Sequence, residues 1–350
     1  MVRVLIVDDS PTSRLFLQHV LAADPEIEVV GTAANGQEAL DKVARLQPDI
    51  VTMDIFMPGM DGYETTRRLM ETHPLPIVVI SSGADRPELM MAFKAIQAGA
   101  LEVLSKPSFR DANQDAEINR RLVRTVKALA GVKVIRRRVF RKPEVPVASP
   151  VPARSIGRRI VGVAASTGGP AALNHFFSSL PGDLPVPIVV VQHIAPGFLS
   201  GLVQWLSNGS RNPIKIAEEG ERAQPGVIYF APEEHHLLVA SGGYFTLSSG
   251  PPISYVRPSA TPLFESMAKV YGRSAIGVVM TGMGADGAVG LKLLHDRGGL
   301  VLAQDAATSV VYGMAKAAME LGAVDEELPL QALAPRLLEV ILHQEQARIS

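Results

Sequence analysis

Along the first third of the chain, short apolar runs rich in β-branched residues alternate with amphipathic stretches. The runs are RVLIV (3–7), IEVVGTA (27–33), DIVTM (49–53), PIVVIS (76–81) and EVLS (102–105). Near-continuous apolar runs of this length suit strands buried on both faces, and their alternation with helical periods predicts a (βα)5 unit around a parallel sheet. A stripe of Ile118, Leu122, Val126 and Leu129 predicts one more helix over 111–131. From Arg159 the pattern restarts with IVGVAASTGGPAAL, then IVVVQHI and IGVVMTGMGADGAVG, which predicts a second α/β domain. The expected boundaries are 1–125 for the first domain, 126–158 for a linker and 159–347 for the second.

Composition agrees with that division. A chain of 350 residues exceeds what one ordinary core fills, and with 47% hydrophobic and 20% charged residues it can bury two. The absence of cysteine excludes disulfides, thiolate metal sites and a cysteine nucleophile, so a covalent nucleophile must be oxygen or nitrogen. An N-terminus that turns acidic at Asp8, and the lack of any run of about 18 apolar residues, predict neither a signal peptide nor a membrane span, hence a cytoplasmic protein.

The formal net charge of −1 hides an uneven distribution: −4 over residues 1–131, +8 over 132–159 and −5 over 160–350. The basic segment is also proline-rich, which disfavours helix and sheet and predicts a semi-extended linker. A solvated tether between acidic domains, a nucleic-acid arm and a membrane-surface patch are all compatible with such a run.

Ligands of parallel α/β sheets gather at the carboxyl ends of the strands. In the first domain those ends carry Asp8 and Asp9, Asp54, Ser81 and Lys106. One aspartate after a strand is ordinarily a helix cap, but three converging carboxylates repel one another unless a cation neutralises them, and an oxygen-rich site of this kind suits Mg²⁺. Through VLIVDDSP, DIVTMDIFMPGMDGYE, VVISS and SKP, residues 1–125 resemble the receiver domain of two-component response regulators. The resemblance implies a flavodoxin-like fold with Asp54 as phospho-acceptor. It implies Mg²⁺ held by Asp8, Asp9, Asp54 and the Phe56 carbonyl, with Ser81 and Lys106 on the phosphoryl group, and a cis Lys106–Pro107 peptide. Two positions depart from the family pattern: Phe56 replaces a polar side chain, and Val103 replaces the aromatic switch residue.

In the second domain, Ser166 falls in a small-residue turn between a strand and a helix that starts near Pro170. Such a turn exposes the hydroxyl and aims backbone N–H groups at whatever binds there. STGGP alone also fits a phosphate turn or a plain capped helix, although the phosphate-loop lysine, G-x-G-x-x-G and the G-x-S-x-G elbow are all missing. Of eight histidines, His193 ends the strand IVVVQHI at the same edge. His235 and His236 are second candidates for a base, while His19, His73, His175, His295 and His343 sit in helical or loop contexts. Asp286, in a glycine-rich loop after a third strand, completes a Ser, His, Asp series in chain order.

ASTGGP, VVQHIAPGF, RPSATPLF, TGMGADGAVG, GGLVLAQD and SVVYGMA together resemble the chemotaxis protein-glutamate methylesterase (CheB) family over residues 160–345. The resemblance implies a doubly wound, mostly parallel α/β methylesterase domain. Its activity would be hydrolysis of glutamate γ-methyl esters on methyl-accepting chemoreceptors, with deamidation of receptor glutamines, switched on by phosphorylation. Ser166 would be nucleophile, His193 base and acid, Asp286 orienting carboxylate, and Thr167 and Met283 would shape the oxyanion region. A chemotaxis-type histidine kinase would be the phosphodonor and a chemoreceptor the substrate. No nucleic acid, membrane insertion, esterase-domain cofactor or stable oligomer is expected. Thr261 departs from an aspartate usual two residues after RPS, and Ala315 from a proline. The rival outputs are a nucleic-acid binder, against which the second domain's −5 charge stands, and a non-catalytic receptor scaffold.

Overall fold

A computed structural model describes residues 1–83, 85–106, 112–134 and 160–346. The chain divides into two compact units, one around an N-terminal sheet and one around a C-terminal sheet.

In the first unit strands and helices alternate strictly. They are β1 (Val2–Val7), α1 (Pro11–Ala22), β2 (Ile27–Ala33), α2 (Gly36–Leu46), β3 (Ile50–Asp54), α3 (Gly62–Thr72), β4 (Ile77–Ser81), α4 (Arg86–Ala98), β5 (Glu102–Ser105) and α5 (Ala112–Leu129). The strands pair in the order β2-β1-β3-β4-β5, all parallel. The runs of β1, β3 and β4 became strands because their side chains are buried on both faces: Val4 to Val7, Ile50, Val51, Met53 and Ile77 to Ile80 are at most 1% exposed, whereas β2, at the sheet edge, is mostly half-buried. Four helices open on a side-chain cap, Ser10, Asn35, Asp61 and Asp85, which fixes where each strand-to-helix loop ends.

The boundary expected at residue 125 falls inside α5, whose Val126 and Leu129 are fully buried. The apolar stripe carries the helix one further turn. The cis expectation at Lys106–Pro107 and the body of the basic linker, 135–159, lie outside the described residues.

The rest of the chain forms β6 (Ile160–Ala165), α6 (Gly169–Ser178), β7 (Ile188–Gln192), α7 (Leu199–Ser207), β8 (Ile214–Ile216), β9 (Ile228–Phe230), β10 (His236–Val239) and β11 (Phe245–Ser248). After these come α8 (Ala260–Val270), β12 (Ala275–Val279), α9 (Ala288–Asp296), β13 (Leu300–Gln304), α10 (Met314–Glu320), β14 (Glu326–Leu328) and α11 (Leu330–Gln346). Seven strands form a parallel sheet in the order β14-β13-β12-β6-β7-β9-β8, and β10 and β11 make a separate antiparallel hairpin. Phe264 and Met267 of α8, Tyr229 and Phe245 pack into the core beside the sheet.

Both sheets reverse direction next to their first strand. The chain leaves β6 outward to β7, then returns to its other side with β12, and β1 is likewise flanked by β2 and β3. Such switch points open a crevice at the carboxyl edge.

Candidate functional site

At the switch point of the first unit, β1 delivers Asp8 and Asp9 and β3 delivers Asp54. Oxygens of the three carboxylates lie within 4.8 Å of one another. Lys106, just past β5, reaches Asp8 Oδ2 at 2.7 Å and Asp54 Oδ2 at 3.0 Å. Burial pushes the Asp54 carboxyl up, Lys106 pulls it back and Asp8 raises it again, so it titrates at about 6. Burial also presses on the Lys106 ammonium, and its two aspartate partners more than offset that, holding it above its usual range.

Asp54 Oδ1 accepts the N–H of Ile55 at 2.8 Å. The Phe56 carbonyl accepts no hydrogen bond among the described residues, and its side chain is half exposed. Crowded hard oxygens, a carbonyl without a protein donor and a carboxyl forced upward fit a divalent cation. Val103 is buried within β5. Ser81 is at the expected edge, but its hydroxyl donates to Glu88 Oε1 at 2.6 Å. Glu88 also accepts the N–H of Ser82 at 2.6 Å and the Ser82 hydroxyl. Glu88 was not anticipated as a neighbour of this site: its side chain turns back from α4 to the end of β4.

In the second unit, β6, β7 and β12 converge on Ser166. The register pairs Ala165 with Gln192, so Ser166 and His193 leave adjacent strands side by side, and His193 N–H donates to the Ala165 carbonyl at 3.0 Å. Ser166 N–H donates to the Thr281 carbonyl at 3.0 Å, and the Thr281 hydroxyl to the Thr167 carbonyl at 2.9 Å, which ties the loop after β12 to the turn. A Cβ built on Gly282 would lie 2.8 Å from Ser166 Cβ, so only glycine lets this loop approach so closely. The turn itself depends on Gly168, whose φ of +77° sets the start of α6. Gln192 is buried, and its amide donates to the carbonyls of both Ser166 and His193 at 2.9 Å.

His193 Nε2 lies 2.9 Å from Asp286 Oδ2. Asp286 is 4% exposed and takes three other protein donors: the Ser259 hydroxyl on Oδ1, the Thr261 hydroxyl on Oδ1 at 3.1 Å, and the Ala260 N–H on Oδ2 at 2.7 Å. Burial raises its pKa, but His193, Ser259 and Ala260 together outweigh that and hold it below the usual 3.8. Four donors make this a carboxylate built to stay ionised.

Ser166, His193 and Asp286 thus gather at one edge. The His193–Asp286 bond is formed, and among the described residues no hydrogen bond joins Ser166 Oγ to the ring. The N–H groups of Thr167 and Met283, flanking Ser166 on two loops, have no protein acceptor among the described residues. Of the second candidates, His236 has both ring nitrogens bonded to backbone, which leaves it none for a serine proton, while His235 Nδ1 lies 3.1 Å from the Glu233 carbonyl. His295 lies between Asp296 and Asp325, and the side chain of His343 lies outside the described residues.

The Asp286 cradle was missed as such in the sequence. Its signal is the S-x-T order at the cap of α8, where two hydroxyls flank the first helical N–H. The Thr261 departure acts on this carboxylate itself, since its hydroxyl also accepts the Gly287 N–H at 3.0 Å.

No described helix is long and apolar enough to cross a membrane. The family model "CheB methylesterase" matches residues 161–337, and that of the response regulator receiver domain matches 4–116. The protein-glutamate methylesterase/protein-glutamine glutaminase 4 of Geobacter metallireducens is 45% identical over 98% of this chain and 100% of its own length. That of Myxococcus xanthus, also numbered 4, is 46% identical over 96% of both. The crystal structure of the Thermotoga maritima CheB methylesterase catalytic domain matches with a TM-score of 0.51 at 39% identity, covering 53% of this chain and 100% of that one. With a receiver domain ahead of its catalytic domain, the chain belongs to the CheB methylesterase family.

Proposed function

We propose that this protein hydrolyses glutamate γ-methyl esters on methyl-accepting chemoreceptors, and deamidates receptor glutamines, through Ser166, His193 and Asp286 under control of phosphorylation at Asp54. The observation that carries the chemistry is the His193–Asp286 bond, formed beside Ser166 at the sheet's switch point.

Asp286 accepts from Nε2, so Nδ1 is the ring nitrogen left to take the serine proton. The Ser166 alkoxide attacks the ester carbonyl, and the charge that develops on the carbonyl oxygen is met by the Thr167 and Met283 N–H groups and the N-terminus of α6. His193 returns the proton to the leaving methoxide, releasing methanol, or to the leaving amine of a glutamine, releasing ammonia. Water, deprotonated by the same imidazole, then frees the glutamate from Ser166.

In the receiver, Asp54 takes a phosphoryl group from a histidine kinase of the chemotaxis type. Asp8, Asp9, Asp54 and the Phe56 carbonyl would hold Mg²⁺, which supplies positive charge against the phosphoryl oxygens. Lys106 holds Asp54 ionised and in place before transfer and pairs with the phosphoryl oxygens afterwards. For Ser81 to donate to the phosphoryl group, its hydroxyl must leave Glu88.

The test is methanol release from methylated receptor, with and without a small phosphodonor. Wild type is expected to release methanol faster with the donor, D54A to release it at the unstimulated rate under both conditions, and S166A to release none. Donor-stimulated release by D54A would overturn the assigned phosphorylation site, and release by S166A the assigned nucleophile.

A further inference from the structure

One buried histidine near this site takes no part in the acyl transfer. His236 opens β10 and is 3% exposed. Its Nδ1 accepts the backbone N–H of Ser259 at 3.1 Å, and its Nε2 lies 3.0 Å from the Pro251 carbonyl. A ring nitrogen that accepts an N–H carries no proton, so the ring's proton sits on Nε2 and is donated to Pro251. The imidazole therefore braces the loop at Pro251 against the start of α8.

What it braces is the cradle of Asp286. Ser259 caps α8 and is fully buried. Its hydroxyl donates to Asp286 Oδ1, and the next N–H, of Ala260, donates to Oδ2 at 2.7 Å. Oδ2 is the atom that faces His193 Nε2. A series of hydrogen bonds and one peptide unit thus runs from His236 through Ser259 and Ala260 to Asp286 and on to His193. Remove the Nδ1 acceptor and the Ser259 N–H becomes a buried donor without a partner, a state the chain relieves by shifting the cap. Any such shift moves both donors relative to the carboxylate.

We propose that His236 is a positioning residue for the reaction: it fixes the Ser259–Ala260 cap, and through it the carboxylate that orients His193. The proposal rests on the triad reading above. Displacements of about 1 Å in such an assembly cost up to ~100-fold in rate, with little effect on substrate affinity.

The experiment measures kcat and KM for methanol release by the full chain with methylated receptor, alongside thermal unfolding, in H236L, H236N and D286A. H236L is expected to lose about 10- to 100-fold in kcat at unchanged KM. H236N offers Oδ1 where Nδ1 stood and is expected to recover most of that loss. If H236L does not fold, H236Q replaces it, since its amide reaches toward Pro251 and leaves Ser259 without an acceptor. The proposal is overturned if the leucine or glutamine variant folds and keeps wild-type kcat, or if H236N is as slow as that variant at the same unfolding midpoint. Wild-type turnover by D286A would instead sink the triad reading, leaving His236 no carboxylate to position.

Discussion

Asp54 and Asp286 are both buried carboxylates at the carboxyl edges of parallel sheets, and their surroundings move them in opposite directions. Asp54 shares its pocket with Asp8, and its donors among the described residues are Lys106 and the Ile55 N–H, leaving it at about 6. Asp286 has two hydroxyls, a backbone N–H and an imidazole, and lies below its usual value. Burial raises both, so the donor set decides the sign. A carboxylate left short of donors is ready for a cation and an incoming phosphoryl group. One saturated with donors is ready to hold an imidazole still.

The largest expected effect tests whether the saturated site is the catalytic one. Ser166→Ala should lower the rate of methanol release by about 10⁴- to 10⁶-fold and leave phosphoryl transfer to the receiver intact, measured in the same preparation. Asp286→Asn should cost about 10⁴-fold in kcat, because an amide that donates to Nε2 favours the tautomer with its proton on Nδ1, where the serine needs an acceptor. A loss under tenfold in D286N would remove Asp286 from the chemistry.

A thermal measurement reads the contrast directly. At pH 7 in metal-free buffer, Asp54→Asn should raise the melting temperature of the receiver by ~3–5 °C, since it relieves an unpaid repulsion, whereas Asp286→Asn should lower that of the esterase unit by a similar amount. Mg²⁺ should stabilise the wild-type receiver and not D54N. Equal signs in the two variants would break the comparison.

The acid side sharpens it. The Asp286 carboxyl has a folded pKa below its unfolded 3.8, so the folded state holds fewer protons there than the unfolded chain does. Its stabilisation is complete above the unfolded value and is lost as pH falls through the folded one. The gap in unfolding midpoint between wild type and D286N should therefore shrink from pH 4 downward, as followed by urea titrations at each pH. A gap that widens below about pH 4 would mean the carboxyl is raised.

Much of this was legible in the chain. The apolar runs of the receiver and the three strands ending at Ser166, His193 and Asp286 follow from burial in the sheet and from the rule that loops at the carboxyl edge carry the chemistry. The short strands β8, β9, β10 and β11 were not read out, because three or four residues carry too little period to separate strand from loop. Nor was the choice of imidazole nitrogen, or the role of Ser259, Thr261 and Glu88. Ser259 meets Asp286 across 27 residues of sequence, and no local pattern encodes that meeting. The same lack of a local signal hid Glu88, whose side chain bonds to the end of β4.

Thr261 gives the smallest expected effect. Its hydroxyl is one of two donors on Asp286 Oδ1, and it also accepts the Gly287 N–H, so it joins the carboxylate to the loop that carries it. Thr261→Val keeps the shape of the side chain and removes both bonds, while the Ser259 hydroxyl, the Ala260 N–H and His193 still hold the carboxylate. Losing one donor of several costs about 0.5–1.5 kcal/mol, or roughly 2- to 12-fold in kcat if all of it falls on the transition state. Ser259→Ala should cost more, because its hydroxyl caps α8 as well as bonding Oδ1. If T261V proves the slower of the two, the hold on Asp286 comes chiefly from its own loop, and the helix cap is secondary.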